Sequence, residues 1–234
     1  PFGLFRNFGQ FRQVDMVREL NPKLLVGFSG SFNNGMSSRR GRINGDFLFY
    51  NISGIDTTYR LPNYLKVGAD LLFKYRGFSL LAEYVNTKAF VADDITHRND
   101  RYGDDPTQII SSFGAWDEND FTSVSSDEYV KRQLILGSGI NIQAGYLFKS
   151  LFSIDGRFTK LSPDEFSFMN NATFYNRQNF YEIGFIKYFF KNYSFKIQAS
   201  YRFIDNAKLR AQDYERLEFE ASENVFYLMV QVAF

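Results

Sequence analysis

Nine charged residues stand at alternate positions of extended runs: Lys66, Asp70, Lys74, Glu83, Asp155, Arg157, Glu182, Lys196 and Arg202. Charges on one side of an extended wall can do two kinds of work. Facing a water-filled passage, they set ion selectivity through their local field. Facing each other across strands, they pair and stiffen the wall. The two uses can coexist. Five of the nine are basic and four acidic, so the expected net field is weak.

Three further clusters carry charge. Arg39, Arg40 and Arg42 lie in a polar stretch, where they can attract anions at the mouth of a passage or sit in solvent. Residues 91–130 are acidic, with Asp93, Asp94, Asp100, Asp104, Asp105, Asp117, Glu118, Asp120, Asp127 and Glu128. Hard cations such as Ca²⁺ take clustered carboxylates, but no twelve-residue Ca²⁺ loop with its glycine and closing Glu is present. A solvated loop is the expectation there, anchored by Trp116. The one histidine, His97, sits in this acidic stretch between Thr96 and Arg98. Hydrolytic sites usually use His as base, and no Gly-x-Ser-x-Gly, phosphate loop or dinucleotide fingerprint accompanies it. With no cysteine in the chain, thiolate metal sites and disulfides are excluded. No enzymatic activity, cofactor or metal is expected.

The elements that position these charges have period two. From Leu65 to Tyr75, Leu65, Val67, Ala69, Leu71, Phe73 and Tyr75 alternate with Lys66, Gly68, Asp70, Leu72 and Lys74. Successive strand side chains point to opposite faces, so one face is oily and the other carries charge. The pattern returns over 78–85, 134–148, 152–158, 193–203 and 225–234, and less cleanly over 23–32 and 180–190, where Lys187 shares the oily side. Runs of about 9–12 residues suit tilted strands crossing a bilayer; ordinary strands average about 5–6.

Composition agrees. The chain has 234 residues, with 28 Phe and 15 Tyr but a single Trp. Mean hydropathy is −0.30, and no stretch approaches the ~20 apolar residues of a membrane helix. Many aromatics on a polar average fit a wall with one oily and one wet face. A net charge of +1 gives no bulk electrostatic case for nucleic acid.

Tyr75-Arg76-Gly77-Phe78, Phe148-Lys149-Ser150-Leu151 and Phe190-Lys191-Asn192-Tyr193 repeat one turn pattern, and Asn21-Pro22 reads as a fourth short turn. Their rings bracket each turn as an interfacial girdle does. Long polar loops alternate with them near 33–63, 91–131, 159–178 and 205–223. All five prolines fall outside the strand runs. Short turns on one side and long loops on the other are the outer-membrane barrel pattern. The fold expected is therefore all-β, a transmembrane antiparallel up-and-down barrel forming a single domain over 1–234, with 91–131 as a long acidic extracellular loop. Gly9 to Leu20 can be read as a strand descending to Asn21-Pro22, or residues 1–20 as a plug or helix. As a strand it brings the count to nine, and the even numbers of bacterial barrels then imply strands before Pro1.

The residues also resemble a porin family. Phe226-Tyr227-Leu228-Met229-Val230-Gln231-Val232-Ala233-Phe234 resembles the closing strand that outer-membrane assembly machinery recognises, with Phe234 as its terminal signal. Gly77-Phe78-Ser79-Leu80-Leu81-Ala82-Glu83-Tyr84, Gly145-Tyr146-Leu147-Phe148, Gly156-Arg157-Phe158, Glu182-Ile183-Gly184-Phe185 and Lys196-Ile197-Gln198-Ala199-Ser200-Tyr201 together resemble the C-terminal part of the phosphate-selective porin O/P family, in the form typical of Bacteroidota. The resemblance covers roughly 64–90 and 133–234. It implies a sixteen-stranded barrel, usually trimeric, passing small anions such as phosphate. No motif transfers that family's basic constriction residues onto positions here.

The function expected is a porin in the outer membrane of a Gram-negative bacterium, allowing passive diffusion of small hydrophilic solutes or anions. Its expected partners are outer-membrane lipid and lipopolysaccharide, the solutes themselves, and a homotrimer or larger outer-membrane complex, without nucleic acid. The alternative is a non-conducting structural or accessory barrel subunit of such a complex.

Overall fold

The computed structural model describes residues 12–36, 38–39, 47–52, 59–99, 107–109, 125–131, 133–164, 177–191, 193–206 and 222–233. In chain order the strands are β1 (Lys23–Asn33), β2 (Ser38–Arg39), β3 (Phe47–Asn51), β4 (Asn63–Tyr75), β5 (Phe78–Phe90), β6 (His97–Asn99) and β7 (Thr107–Gln108). A short helix, α1 (Ser126–Lys131), precedes β8 (Gly137–Leu147), β9 (Phe152–Pro163), β10 (Arg177–Tyr188), β11 (Phe195–Asn206) and β12 (Glu223–Val232).

The long strands form one eight-stranded sheet in the order β1-β4-β5-β8-β9-β10-β11-β12. Every pairing in it is antiparallel. Each long strand therefore lies beside the next one in the chain, an up-and-down meander in which β1 and β12 are the two edges. Residues 12–20, open between a ninth strand and a plug or helix, form bends and turns. The run there does not alternate cleanly, and Asp15 uses its carboxylate to cap the backbone N–H of Glu19, which closes a turn.

Register makes the sheet two-sided. Leu24, Phe73, Leu80, Ala144, Gly156, Ile183, Tyr201 and Phe226 lie in one row across all eight strands, without a charge. The row above runs Val26, Leu71, Ala82, Ile142, Phe158, Tyr181 and Phe203. This apolar face is uncovered: Phe28 is 82% exposed and Leu228 77%. On the other face the matching row is Leu25, Leu72, Leu81, Gln143, Arg157, Glu182, Arg202 and Val225. Lys187 falls on the apolar face, where its Nζ donates to the Ser150 carbonyl at 2.6 Å.

The short turns share one end of the sheet. Arg76 and Gly77 have φ of 48° and 93°, the left-handed pair of a two-residue hairpin whose twist matches its strands. Aromatic rings gather there: Phe189 stacks on Phe195 at 4.3 Å, and Tyr146 meets Phe148 edge-on at 4.9 Å.

Two small apolar clusters replace a conventional core. At the long-loop end, Tyr50, Ile95, Ile109, Tyr129, Val130, Leu134 and Leu136 pack together, with Tyr64 and Ala89 of the polar face against them. Leu134 and Leu136, which alternation assigns to the oily side of a strand, are drawn into this cluster before β8 begins. At the short-turn end, Val14, Met16, Leu147, Ile186 and Tyr188 form the second, with Leu151 and Tyr193 packed on it. Tyr193, also read as an oily-side strand residue, turns inward because its backbone adopts φ of 61° just before β11.

Candidate functional site

The polar face holds all nine charged residues singled out by spacing, and register places each. Arg157 of β9 lies beside Glu182 of β10, which lies beside Arg202 of β11. Glu182 Oε2 accepts from Arg202 Nε at 3.0 Å and also takes Arg157 Nη2. Arg202 extends further, donating from Nη1 to the Tyr227 hydroxyl at 3.3 Å with its guanidinium 5.0 Å from that ring. Two guanidiniums thus share one carboxylate, leaving an excess positive charge on the β9–β11 side.

On the β4–β5 side Lys66, Asp70, Lys74 and Glu83 share the polar face, two bases and two acids. Asp70 and Glu83 are register partners, two carboxylates side by side. Asn141 Nδ2 donates to Glu83 Oε2 at 2.8 Å and accepts in turn from Thr159 Oγ1 at 2.9 Å. Among the described residues no ion pair reaches Asp70, Glu83 or Lys66. The expected cross-strand lattice is therefore confined to Arg157, Glu182 and Arg202. The acidic pair and the arginine ladder stand in adjacent rows, roughly 7 Å apart along the strands.

Closer to the short turns, Asp155 lies between Gly145 and Gly184 in register and accepts from Ser153 Oγ at 2.7 Å. A Cβ on Gly145 would collide with the Asp155 carboxylate, so glycine there lets Asp155 lie along the sheet. Lys196 Nζ reaches Gln198 Oε1 at 3.4 Å. Lys74, almost wholly buried, donates from Nζ to the Val14 carbonyl at 3.0 Å.

That last contact belongs to a strap, residues 12–22, which crosses the polar face at the short-turn end. Asp15 is fully buried, and its Oδ2 accepts the Gly77 N–H at 2.7 Å. Arg76 N–H donates to the Glu19 carbonyl at 2.9 Å, and Arg18 donates to the Leu147 carbonyl and, at 3.2 Å, to the Tyr146 hydroxyl. The Tyr193 hydroxyl donates to Val14 O at 3.2 Å, and Arg12 lies 4.4 Å from the Tyr193 ring. Burial pushes the Tyr193 phenol above its ordinary range, which keeps it a donor. Lys74 of β4 and Tyr193 after β10 reach the same oxygen although β4 and β10 are four strand intervals apart, roughly 19 Å on a flat sheet. The polar face is concave, and the strap lies in the hollow.

Spacing left this stretch open between a strand and a plug or helix, and did not single out Asp15. The signal available was a single acid between two apolar residues, Val14-Asp15-Met16, in a stretch that does not alternate.

The remaining expectations fall elsewhere. Arg39 lies in β2, paired with Phe47; Arg40, Arg42, Trp116 and Phe234 lie outside the described residues. In the acidic loop, Asp94 pairs with Arg60 at 3.1 Å and Asp127 with Lys131 at 2.7 Å. His97 Nδ1 is 2.8 Å from Thr96 Oγ1. Among the described residues no group of carboxylates or His is placed to hold a metal ion, and no helix is long and apolar enough to cross a membrane.

No protein-family model, curated protein or solved structure matches the chain.

Proposed function

We propose that this chain forms wall of an outer-membrane β-barrel channel through which small hydrophilic solutes diffuse. One observation carries the reading: an uncharged row crosses eight consecutive strands on the uncovered face, while the nine charges named above lie on the concave face. Uncovered apolar area on this scale needs hydrocarbon or protein against it. A Lys or Arg turned to bilayer midplane costs about 2–4 kcal/mol, so the segregation is what a spanning wall requires. The sixteen-stranded, trimeric porin of the O/P type belongs to the same proposal. Among the described residues β1 and β12 are edges without a further partner strand, which suits a wall that further strands complete. Passage of anions such as phosphate is favoured by the surplus guanidinium beside Glu182 and opposed by the Asp70–Glu83 pair.

A second reading is a non-conducting accessory barrel in a larger outer-membrane complex. It is favoured by the strap at one end of the polar face and the apolar loop cluster at the other. Planar-bilayer recordings separate the two. Steady ohmic current in KCl supports the channel; silence from correctly assembled protein supports the accessory role.

A further inference from the structure

The strap is held unlike the wall it crosses. The wall is held by continuous strand pairing. Residues 12–20 contribute no strand, and their described contacts are side-chain and turn hydrogen bonds, the Glu19–Lys23 ion pair, Arg12 and Arg18 against the Tyr193 and Tyr146 rings, and the apolar packing of Val14 and Met16. Val17 and Leu20, apolar residues of the same segment, are left 67% and 77% exposed. The attachments nevertheless converge. One carboxylate, that of Asp15, accepts from Glu19 N–H and from Gly77 N–H. It therefore both folds the strap and fastens it to the β4–β5 turn. The strap runs from the β10–β11 turn, where Arg12 meets Tyr193, to the β4–β5 turn, where Glu19 meets Arg76. It thus bridges the hollow from side to side.

We propose that residues 12–19 are a removable plug, closing the short-turn end of the passage when Asp15 is seated on Gly77 and opening it when that contact is released. This rests on the channel reading above. A segment fastened by discrete hydrogen bonds rather than by strand pairing has two arrangements, seated and free, and Asp15, which both folds the strap and fastens it, weighs on the balance between them. Hydrogen bonds to a charged acceptor are strong enough that losing them shifts such a balance about tenfold or more.

The test uses the full chain in planar bilayers with KCl as the permeant salt. The native chain has no cysteine, so introduced thiols report without background. Three forms are compared: native, Asp15→Ala, and Asp15→Ala carrying the pair Glu19→Cys and Arg76→Cys. The Arg76 N–H to Glu19 O hydrogen bond of 2.9 Å places those two backbones within disulfide reach. Strap position is read independently by the rate at which a bulky maleimide labels Val14→Cys, a buried position, with and without Asp15→Ala; Asp15→Asn replaces Asp15→Ala if the latter fails to assemble. The proposal expects Asp15→Ala to raise both the open fraction and the labelling rate about tenfold. Oxidising the cysteine pair returns the current to the native level, and reductant restores it.

Equal labelling rates in the two backgrounds overturn the plug. So does faster labelling with unchanged current, or a cross-linked strap that leaves the raised current in place. A steady native current indifferent to all these changes removes the plug and leaves the channel standing. Silence from every form despite a released strap removes both.

Discussion

Glu182 and Arg202 face each other in register across the β10–β11 pair, Oε2 to Nη2 at 2.9 Å, and the same oxygen holds Arg157. Removing the shared anion leaves two guanidiniums side by side. Glu182→Gln is expected to destabilise the folded chain by about 1–3 kcal/mol, less than a fully buried pair because both arginines stay partly open to solvent. The urea midpoint of the protein refolded into vesicles checks this. An unchanged midpoint would mean that the ladder is decorative.

The arginine pair and the carboxylate pair have separate consequences for ion passage. Neutralising the arginine side with Arg157→Gln and Arg202→Gln should move the reversal potential in a KCl gradient towards cation preference. Asp70→Asn with Glu83→Gln should move it towards anion preference. Charges that line a conduction path act in opposite directions in this way. If both pairs shift the potential alike, or neither does, these residues do not face the permeant ions.

Gly77 carries φ of 93°, and a Cβ there would lie 2.5 Å from the Leu147 carbonyl oxygen. Gly77→Ala is therefore expected to cost about 1–3 kcal/mol through backbone strain and displacement of the strap. Gly30, where the nearest atom to an added Cβ is 4.0 Å away, is the control, with a cost under about 1 kcal/mol for Gly30→Ala. Comparable unfolding midpoints for the two variants would count against the tight hairpin and strap geometry.

Sequence carried the parts of this fold that repeat. The alternation from Leu65 to Tyr75 assigned each side chain of β4 to its face, and the aromatic-basic-small turns located the hairpin ends, because strand pleat and turn stereochemistry leave a local signature. It carried the nine charges to the polar face for the same reason. What it could not supply was pairing across the long loops. Arg157 meets Glu182 through a register that local spacing does not encode, whereas Asp70 meets Glu83 in the register that the two-residue Arg76-Gly77 hairpin sets. Leu134, Leu136 and Tyr193 were misassigned because alternation continues in sequence beyond the point where the strands end. The strap's contacts were illegible because Asp15, Arg18 and Glu19 find their partners at Gly77, Leu147 and Arg76, far along the chain.

The central claim is that one face meets hydrocarbon and the other meets water, and the most direct measurement is quenching of tryptophan by brominated lipid. In a Trp116→Phe background, Ile142→Trp places the probe on the apolar face and Gln143→Trp places it one residue away on the polar face. The expected result is strong quenching at position 142 and little at 143, in vesicles where the protein is fully assembled. Equal quenching at the two positions, or stronger quenching at 143, would contradict the account.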